Sequence, residues 1–570
     1  MAFSDLLHTV GDAGRFQVIH VMLLCLTMVL FPCHNLVQNF SAATPSHHCL
    51  VPSLQNYSLL AQHDYLWNNT KELLQVFIPQ EHGIPTSCSR YVQPQWQLML
   101  NDSATVGDDD VNIQDCVDGW EFDSSQHSST IVTEWDLVCE RRVLKQMAQS
   151  VYMGGVLVGA LLLGALSDRY GRHTIMVISH LGIVASGIWA FFAPTFLVYM
   201  LARFTDGMFV SGSLLNAHSL GLEWVTKEHR IYVNACMGLC YTFGQLMLVG
   251  IAYGIQDWRY LHLATSVPFA FLFLIAWFHP ESARWLILKG RLNDALKSLK
   301  HVARINGKPF VLNIDVLEKE YERENSEVLK NTYTLLDLFR TAEIRKTTYA
   351  ILFVWFATSF AYYGLALDLQ GFKVNIYLLL VLFGLADLPA KLIAVITIGT
   401  AGRRAAQAGA LLLTGLMSFV QIFISKDQEM LRASFAVVGK GCIAASFLVM
   451  FLYTGELYPT IMRQNGLGAG STMARVGAIL APMVIHSGDI YPLLPQIIYS
   501  SVCFAGGIAA LTLRETRNTS LPNTLDDLKQ KHNDGHRRKT THMNDHAVSN
   551  EKKDDGTQLE MTALSTTNNL

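Results

Sequence analysis

Stretches of about twenty mostly apolar residues, the length a helix needs to cross a bilayer, recur twelve times along the chain. They lie near 16–37, 145–166, 174–192, 196–219, 231–254, 259–279, 347–368, 375–399, 406–425, 433–455, 465–486 and 491–513. In hydrocarbon every backbone N–H and C=O must find its partner inside the protein, so runs of this length imply α-helices. Charge agrees: Asp, Glu, Lys and Arg make up 16% of the 570 residues, against about 25% in soluble domains. The net charge of −3 gives no argument for nucleic acid as a partner; membrane lipid is the partner the composition demands. The expected fold class is an all-α membrane protein with twelve transmembrane helices. The first apolar stretch, FQVIHVMLLCLTMVLF, is longer than a signal-peptide core and no small-x-small cleavage site follows it, so it reads as retained.

Lys and Arg in the short loops set orientation. Arg169 and Arg172 follow span 2, Lys227 and Arg230 follow span 4, Arg403 and Arg404 follow span 8, and Arg463 follows span 10. The alternate loops carry Arg259, Lys373, Lys426 and Arg432. Both termini are therefore expected in the cytoplasm: segment 1–15, a linker at 280–346 and a disordered tail at 514–570. The loop 38–144 then lies outside, as in a plasma-membrane protein. It carries sequons at Asn39, Asn56, Asn68 and Asn101, and the cysteines Cys49, Cys88, Cys116 and Cys139. Both features fit a glycosylating, oxidising compartment. Four cysteines allow three pairings, and spacing alone does not choose among them.

The loops also repeat. GALSDRYGRH after span 2 is echoed by GTAGRRA after span 8; EWVTKEHR after span 4 by ELYPTIMR after span 10; PESARW after span 6 by RETRN after span 12. Acid and base stand seven apart in Glu223–Arg230 and in Glu456–Arg463, and Glu281 answers Glu515 at nearly the same offset. The chain thus reads as one six-helix unit used twice, 16–279 and 347–513. Parallel duplicated halves place a substrate site near the midplane between them. Asp168, Arg169, Arg172, Glu223, Arg230, Glu281, Arg284, Glu456, Arg463 and Glu515 are candidates for a cytoplasmic gate, pairing across the bundle to latch its inner side. Plain positive-inside topology would explain Arg403 and Arg404, but not the matched acids.

DRYGR, PESARW and GELYPTIMR, together with the large outer loop after span 1, resemble the organic cation and anion transporter family of the major facilitator superfamily. NFSAATPSHHC, STIVTEWDLVC, WFATSFAYYGLALDLQGF, DLPAKL and FLYTGELYPT are similar to its organic anion transporter branch, and the likeness runs through the last span. The resemblance implies the pairings Cys49–Cys116 and Cys88–Cys139. Two positions depart from the pattern: His173 stands where a second basic residue often follows GR, and Asp206 is an unusual acid within span 4.

Charge inside the spans carries the functional reading. Arg475 lies mid-span in GAGSTMARVGAILAPMVIH with no acid on its own helix, at a cost of roughly 2.5–3.5 kcal/mol on insertion scales. Lys391 lies in FGLADLPAKLIAV, four residues after Asp387, so the two could pair along the helix; Pro389 between them weakens that geometry. Lys440, in VVGKGCIAAS, could snorkel or pair. Arg203 and Asp206 stand three apart and read as a neutralising pair. In FVWFATSFAYYG, helical spacing puts Phe356, Phe360 and Tyr363 on one face and Trp355 with Tyr362 on another. Such stripes are most often packing. The resemblance instead places Tyr241, Phe360, Tyr363 and Phe447 on the cavity wall and makes position 475 basic in anion carriers and acidic in cation carriers. Arg475 and Lys391 are then the anion-attracting charges.

No Walker loop, HExxH or GxSxG is present, and the soluble segments are short, which argues against an enzyme and against primary transport. No cofactor is called for. The resemblance implies alternating-access transport of amphipathic organic anions, in exchange for an intracellular dicarboxylate such as 2-oxoglutarate. A facilitative organic anion or urate uniporter is the alternative, and a cation or zwitterion carrier a further one. The final TTNNL lacks Ser or Thr two before the end, so the common C-terminal PDZ ligand pattern is absent.

Overall fold

The computed structural model describes residues 3–50, 70–81, 84–95, 112–123, 128–226, 228–310, 312–330, 335–367, 374–425, 427–459, 462–489 and 491–517. The sequons at Asn56, Asn68 and Asn101 and the tail from 518 lie outside these residues.

The long helices are numbered here α1 (Arg15–Leu36), α2 (Arg142–Tyr170), α3 (Arg172–Phe191), α4 (Phe196–Glu223), α5 (Arg230–Gly254), α6 (Trp258–Ala276), α7 (Ala342–Leu367), α8 (Ile376–Thr400), α9 (Arg403–Val420), α10 (Glu429–Leu457), α11 (Arg463–His486) and α12 (Leu494–Thr512). Ten are long and apolar enough to cross a membrane. The other two fall below that measure: α4 carries Arg203, Asp206 and Asn216 inside it, and α9 opens on Arg403 and Arg404. Polar side chains cap several starts, satisfying N–H groups that have no partner in the helix. Asp257 accepts from Arg259 N–H at 2.8 Å at α6, and Asn375 accepts from Tyr377 N–H at 2.9 Å at α8. Proline at 268 splits α6 into Trp258–Ser266 and Pro268–Ala276.

Packing follows the repeat in the loops. In the first half α2 lies on α4, α3 on α4, α1 on α5 and α6 on α3; in the second, α8 on α10, α9 on α10, α7 on α11 and α12 on α9. The halves meet through α2 against α11 and α5 against α8, contacts that exchange under the same six-helix shift. Small residues allow the closest approach: a Cβ at Gly155 or Gly159 of α2 would strike the carbonyls of Phe204 and Met208 of α4. This is how membrane helices gain contact where lipid is as apolar as leucine.

The bundle has a loop end, bearing the described residues between 38 and 144, and a terminal end, bearing residues 3–14 and 513–517. At the loop end three two-stranded ribbons pair His47–Cys49 with Trp120–Phe122, Gln80–Glu81 with Ile84–Pro85, and Ser89–Tyr91 with Ile113–Asp115. Disulfides join Cys49 to Cys116 and Cys88 to Cys139, the pairing the family resemblance implies. A short helix, Ile131–Trp135, docks the loop: Trp258 Nε1–H donates to Glu134 at 2.8 Å, and Trp135 packs against Tyr199 and Trp258.

Asn39 departs from the sequence expectation of a glycan. It lies in a short helix continuing α1 (Gln38–Ser41), is 8% exposed, and donates through Nδ2 to the Ala366 carbonyl of α7 at 3.0 Å. In this arrangement the amide makes a bond between the halves.

Candidate functional site

Three cations of the second half lie away from the helix ends, Lys391, Lys440 and Arg475, each held differently. Arg475 of α11 donates to its own helix, to the Ser471 carbonyl at 2.9 Å and to Ser471 Oγ one turn before it. No carboxylate faces it among the described residues, and its Nε is buried without a partner. Tyr363 of α7 is its neighbour. Lys391 of α8 is half-buried and crosses to the other half. Its Nζ donates to Thr242 Oγ1 at 2.9 Å and to the Gly238 carbonyl at 3.2 Å, both on α5. Pairing with Asp387 along the helix is not what the structure adopts. Asp387 instead binds Lys440 of α10 at 3.0 and 3.3 Å, and that ammonium also lies 4.4 Å from the Tyr362 ring centre. Lys440 is fully buried and Asp387 1% exposed, so each charge depends on the other: an unpaired buried ion costs several kcal/mol. Lys440 therefore pairs and does not snorkel.

Aromatic rings gather around these groups. The hydroxyls of Tyr241 (α5) and Tyr362 (α7) are 3.3 Å apart across the halves, and Tyr362 meets Phe447 and Tyr363 edge-on, both at 5.3 Å. Tyr241, Tyr363 and Phe447 keep part of their surface open. Phe360 does not. It is 3% exposed, stacked on Phe356 at 5.4 Å and 5.1 Å from Tyr499 of α12, so its ring braces α7 against α12. For Phe360 the packing reading of the stripe is the one the structure adopts. Tyr362, set on the opposite face by spacing alone, is the ring that joins Tyr241, Phe447 and the Lys440 pair.

In the first half the charges close on themselves. Arg203 Nη1 donates to Asp206 at 2.7 Å, the pairing their spacing predicts, and His34 of α1 reaches the same carboxylate at 3.1 Å. The Arg203 guanidinium also lies over the Tyr152 ring at 4.2 Å. From there a chain of bonds runs to the other half: Tyr152 O–H donates to Asn35 Oδ1 at 2.8 Å, and Asn35 Nδ2 faces the Tyr363 hydroxyl at 3.5 Å. Thr242, Asn35 and Tyr152 were not singled out from sequence. Thr242 adjoins Tyr241, and Ser471 stands four before Arg475, the spacing of one helix face, signals that could have found those two; Asn35 and Tyr152 carry no such signal.

At the terminal end the matched loop motifs fold into matched geometry. Gly171 and Gly402 turn at φ +105° and +96°, which lets a carboxylate sit where a Cβ would be. Glu281 accepts from Arg172 N–H at 3.1 Å and His173 N–H at 3.2 Å, at the start of α3. Glu515 accepts from Arg403 N–H at 2.9 Å and Arg404 N–H at 3.0 Å, at the start of α9. Burial raises the Glu515 carboxyl, but the backbone N–H groups of Arg517, Arg403, Arg404 and Thr516 outweigh it and hold it below the usual carboxylate range. Arg172 then reaches Glu223 at 3.2 Å and Asp168 at 3.1 Å, and Arg403 reaches Glu456 at 3.0 Å.

These contacts brace each half internally. Arg463 is not paired with Glu456; its Nε and Nη2 are buried without partners among the described residues, as is Nε of Arg230. Arg169 lies 5.4 Å from the Tyr170 ring, and Arg284 sits in the short helix Ala283–Leu288. The halves are joined instead at mid-depth, through Lys391 and Tyr241, and toward the loop end through Asn39, Ser150 to the Ile479 carbonyl at 2.8 Å, and Phe40 stacked on Tyr377 at 5.2 Å.

Two helix sextets related by a shift of six, with a charged seam between them, define a transporter of the major facilitator type and not an enzyme. Residues 114–521 match the family described as "Sugar (and other) transporter". The chain belongs to that family and, within it, to solute carrier family 22. It is 45% identical over 533 residues to solute carrier family 22 member 6-B of Xenopus laevis, covering 93% of this chain and 95% of that one. It is 46% identical to solute carrier family 22 member 6 of Danio rerio (93% and 94% covered) and of Oryctolagus cuniculus (93% and 95%). The fold is similar to the partially occluded inward open xylose transporter XylE from E. coli, with TM-score 0.56, 13% identity, and coverage of 88% of this chain and 98% of that one.

Proposed function

We propose that the protein is a secondary active, alternating-access carrier of amphipathic organic anions. It spans the plasma membrane twelve times with both termini cytoplasmic, and takes up its substrate in exchange for an intracellular dicarboxylate such as 2-oxoglutarate. The observation that carries this reading is the contrast among the intramembrane cations. Lys440 and Arg203 have carboxylates at 3.0 and 2.7 Å, whereas among the described residues Arg475 and Lys391 bond neutral oxygens. An anionic head is the missing counter-charge. A guanidinium fork suits carboxylate or sulfate, and the open faces of Tyr241, Tyr363 and Phe447 suit an apolar body. Family membership supports the same reading.

The driving force follows from charge. Entry of a monovalent anion against a negative interior costs about 2.3 kcal/mol per 100 mV, whereas exchange for an outgoing dianion moves net negative charge outward and lets the potential assist. Arg475 and Lys391 together could neutralise the two carboxylates of such a counter-substrate. The test is uptake of a tracer anion such as para-aminohippurate by proteoliposomes preloaded with 2-oxoglutarate. Stimulation that vanishes in Arg475→Ala and Lys391→Ala is the expected result. Uptake unaffected by any internal dicarboxylate would leave facilitated diffusion. Preference for a quaternary amine over every anion tested would overturn the substrate class.

A further inference from the structure

We infer that Cys25 of α1 and Cys236 and Cys240 of α5 form a binding site for a thiophilic metal ion. Their Sγ atoms all lie within 4.8 Å of one another, and Cys25 and Cys236 approach to 3.5 Å with no disulfide between them. The sequence builds half of the site: residues four apart on a helix share a face, and α5 packs against α1, which supplies the third sulfur. Sulfurs bound to one metal at about 2.3 Å stand roughly 3.7–4.0 Å apart in tetrahedral or trigonal geometry. The trio is therefore assembled to within small side-chain adjustments.

The surroundings select the ion. Leu24, Met28, Val233 and Met237 pack in the same cluster, and among the described residues no carboxylate joins the three sulfurs. Thiolates favour Cu⁺, Zn²⁺ and their heavier congeners over Mg²⁺ or Ca²⁺. Each ligating thiol releases its proton as the metal binds. Cys25 is buried, while Cys236 and Cys240 keep part of their surface open, which gives the ion a side of approach. Cys240 adjoins Tyr241, so an ion bridging α1 and α5 would fix the backbone that presents this ring.

The test uses the purified full chain and Cd²⁺ as probe, followed by thiolate-to-cadmium charge-transfer absorption. The expected result is one tight ion per chain with three sulfurs in its X-ray absorption shell. Loss of outer-shell partners alone weakens metal sites about 10–100-fold, so Cys25→Ser, Cys236→Ser or Cys240→Ser should each weaken binding by about 100-fold or more. Cys33→Ser and Cys503→Ser should leave it unchanged. Because a serine at Cys25 could disturb packing, the unaltered chain provides a second measurement: Cd²⁺ should protect Cys236 and Cys240 from a membrane-permeant maleimide. A two-sulfur shell, unchanged affinity in any of the three variants, or no protection would overturn the assignment.

Discussion

The two halves share a frame and differ in what they do with charge. Both brace the terminal end alike, with a positive-φ glycine, a glutamate on the next helix start and an arginine reaching a second glutamate. At mid-depth they part. The first half gathers Asp206, Arg203 and His34 into one closed cluster. The second closes Lys440 on Asp387 but, among the described residues, gives Arg475 and Lys391 no carboxylate at ion-pair distance. A duplicated scaffold can thus keep its mechanical contacts in both copies and place unpaired cations in one.

The sharpest way to break this comparison is Arg475→Asp. Charge-assisted hydrogen bonds are worth about 1.5–3 kcal/mol each, and an aspartate adds repulsion, so anion uptake should fall by more than about 100-fold at normal surface expression. Arg475→Lys should keep anion selectivity at reduced capacity, because a point charge replaces the planar fork. Full anion uptake by well-expressed Arg475→Asp would place the binding charge elsewhere.

Next in size is the closed pair. Asp387→Asn strands a buried ammonium and should cost about 3–5 kcal/mol of stability, whereas Asp387→Asn with Lys440→Met should recover most of it. Thermal unfolding of the detergent-solubilised variants measures both. If the double variant is no more stable than the single ones, the pair is not a closed unit. Lys391→Ala removes one of the two cations proposed to meet the anion; with one charge-assisted hydrogen bond worth about 1.5–3 kcal/mol, uptake should fall by at least about tenfold without loss of expression.

The smallest effect concerns the shared frame. Glu515 has its folded-state value depressed, so its contribution is fully present above the unfolded value of about 4.3 and is lost as pH falls through the folded one. Glu515→Gln should cost under about 1 kcal/mol near neutrality, since the carboxylate is partly exposed. The gap to the unaltered chain should close well below pH 4. A gap that widens with acid would reverse the sign of the linkage.

Legibility in the sequence followed distance along the chain. The apolar runs announce the long helices because a helix in lipid satisfies its own backbone, and the loop motifs announce the repeat. Arg475 stood out because every residue that could neutralise it nearby in sequence is absent. The Lys440–Asp387 pair spans 53 residues and Lys391–Thr242 spans 149, so neither could be read from spacing. Asn39 looks like a glycan acceptor because the motif is three residues long, while the bond that removes it lies 327 residues away. Phe360 packs against Phe356 and Tyr499 because a ring's surroundings depend on which neighbours pack there, not on helix phase alone.

That same Asn39 bond has a consequence in the order of synthesis. Asn39 emerges long before Ala366, so for much of translation its amide has no α7 carbonyl to meet. A sugar attached in that interval would later stand between α1 and α7. The halves would be wedged apart at the loop end. Glycosylation at this one sequon would act as a defect in assembly, not as a coat.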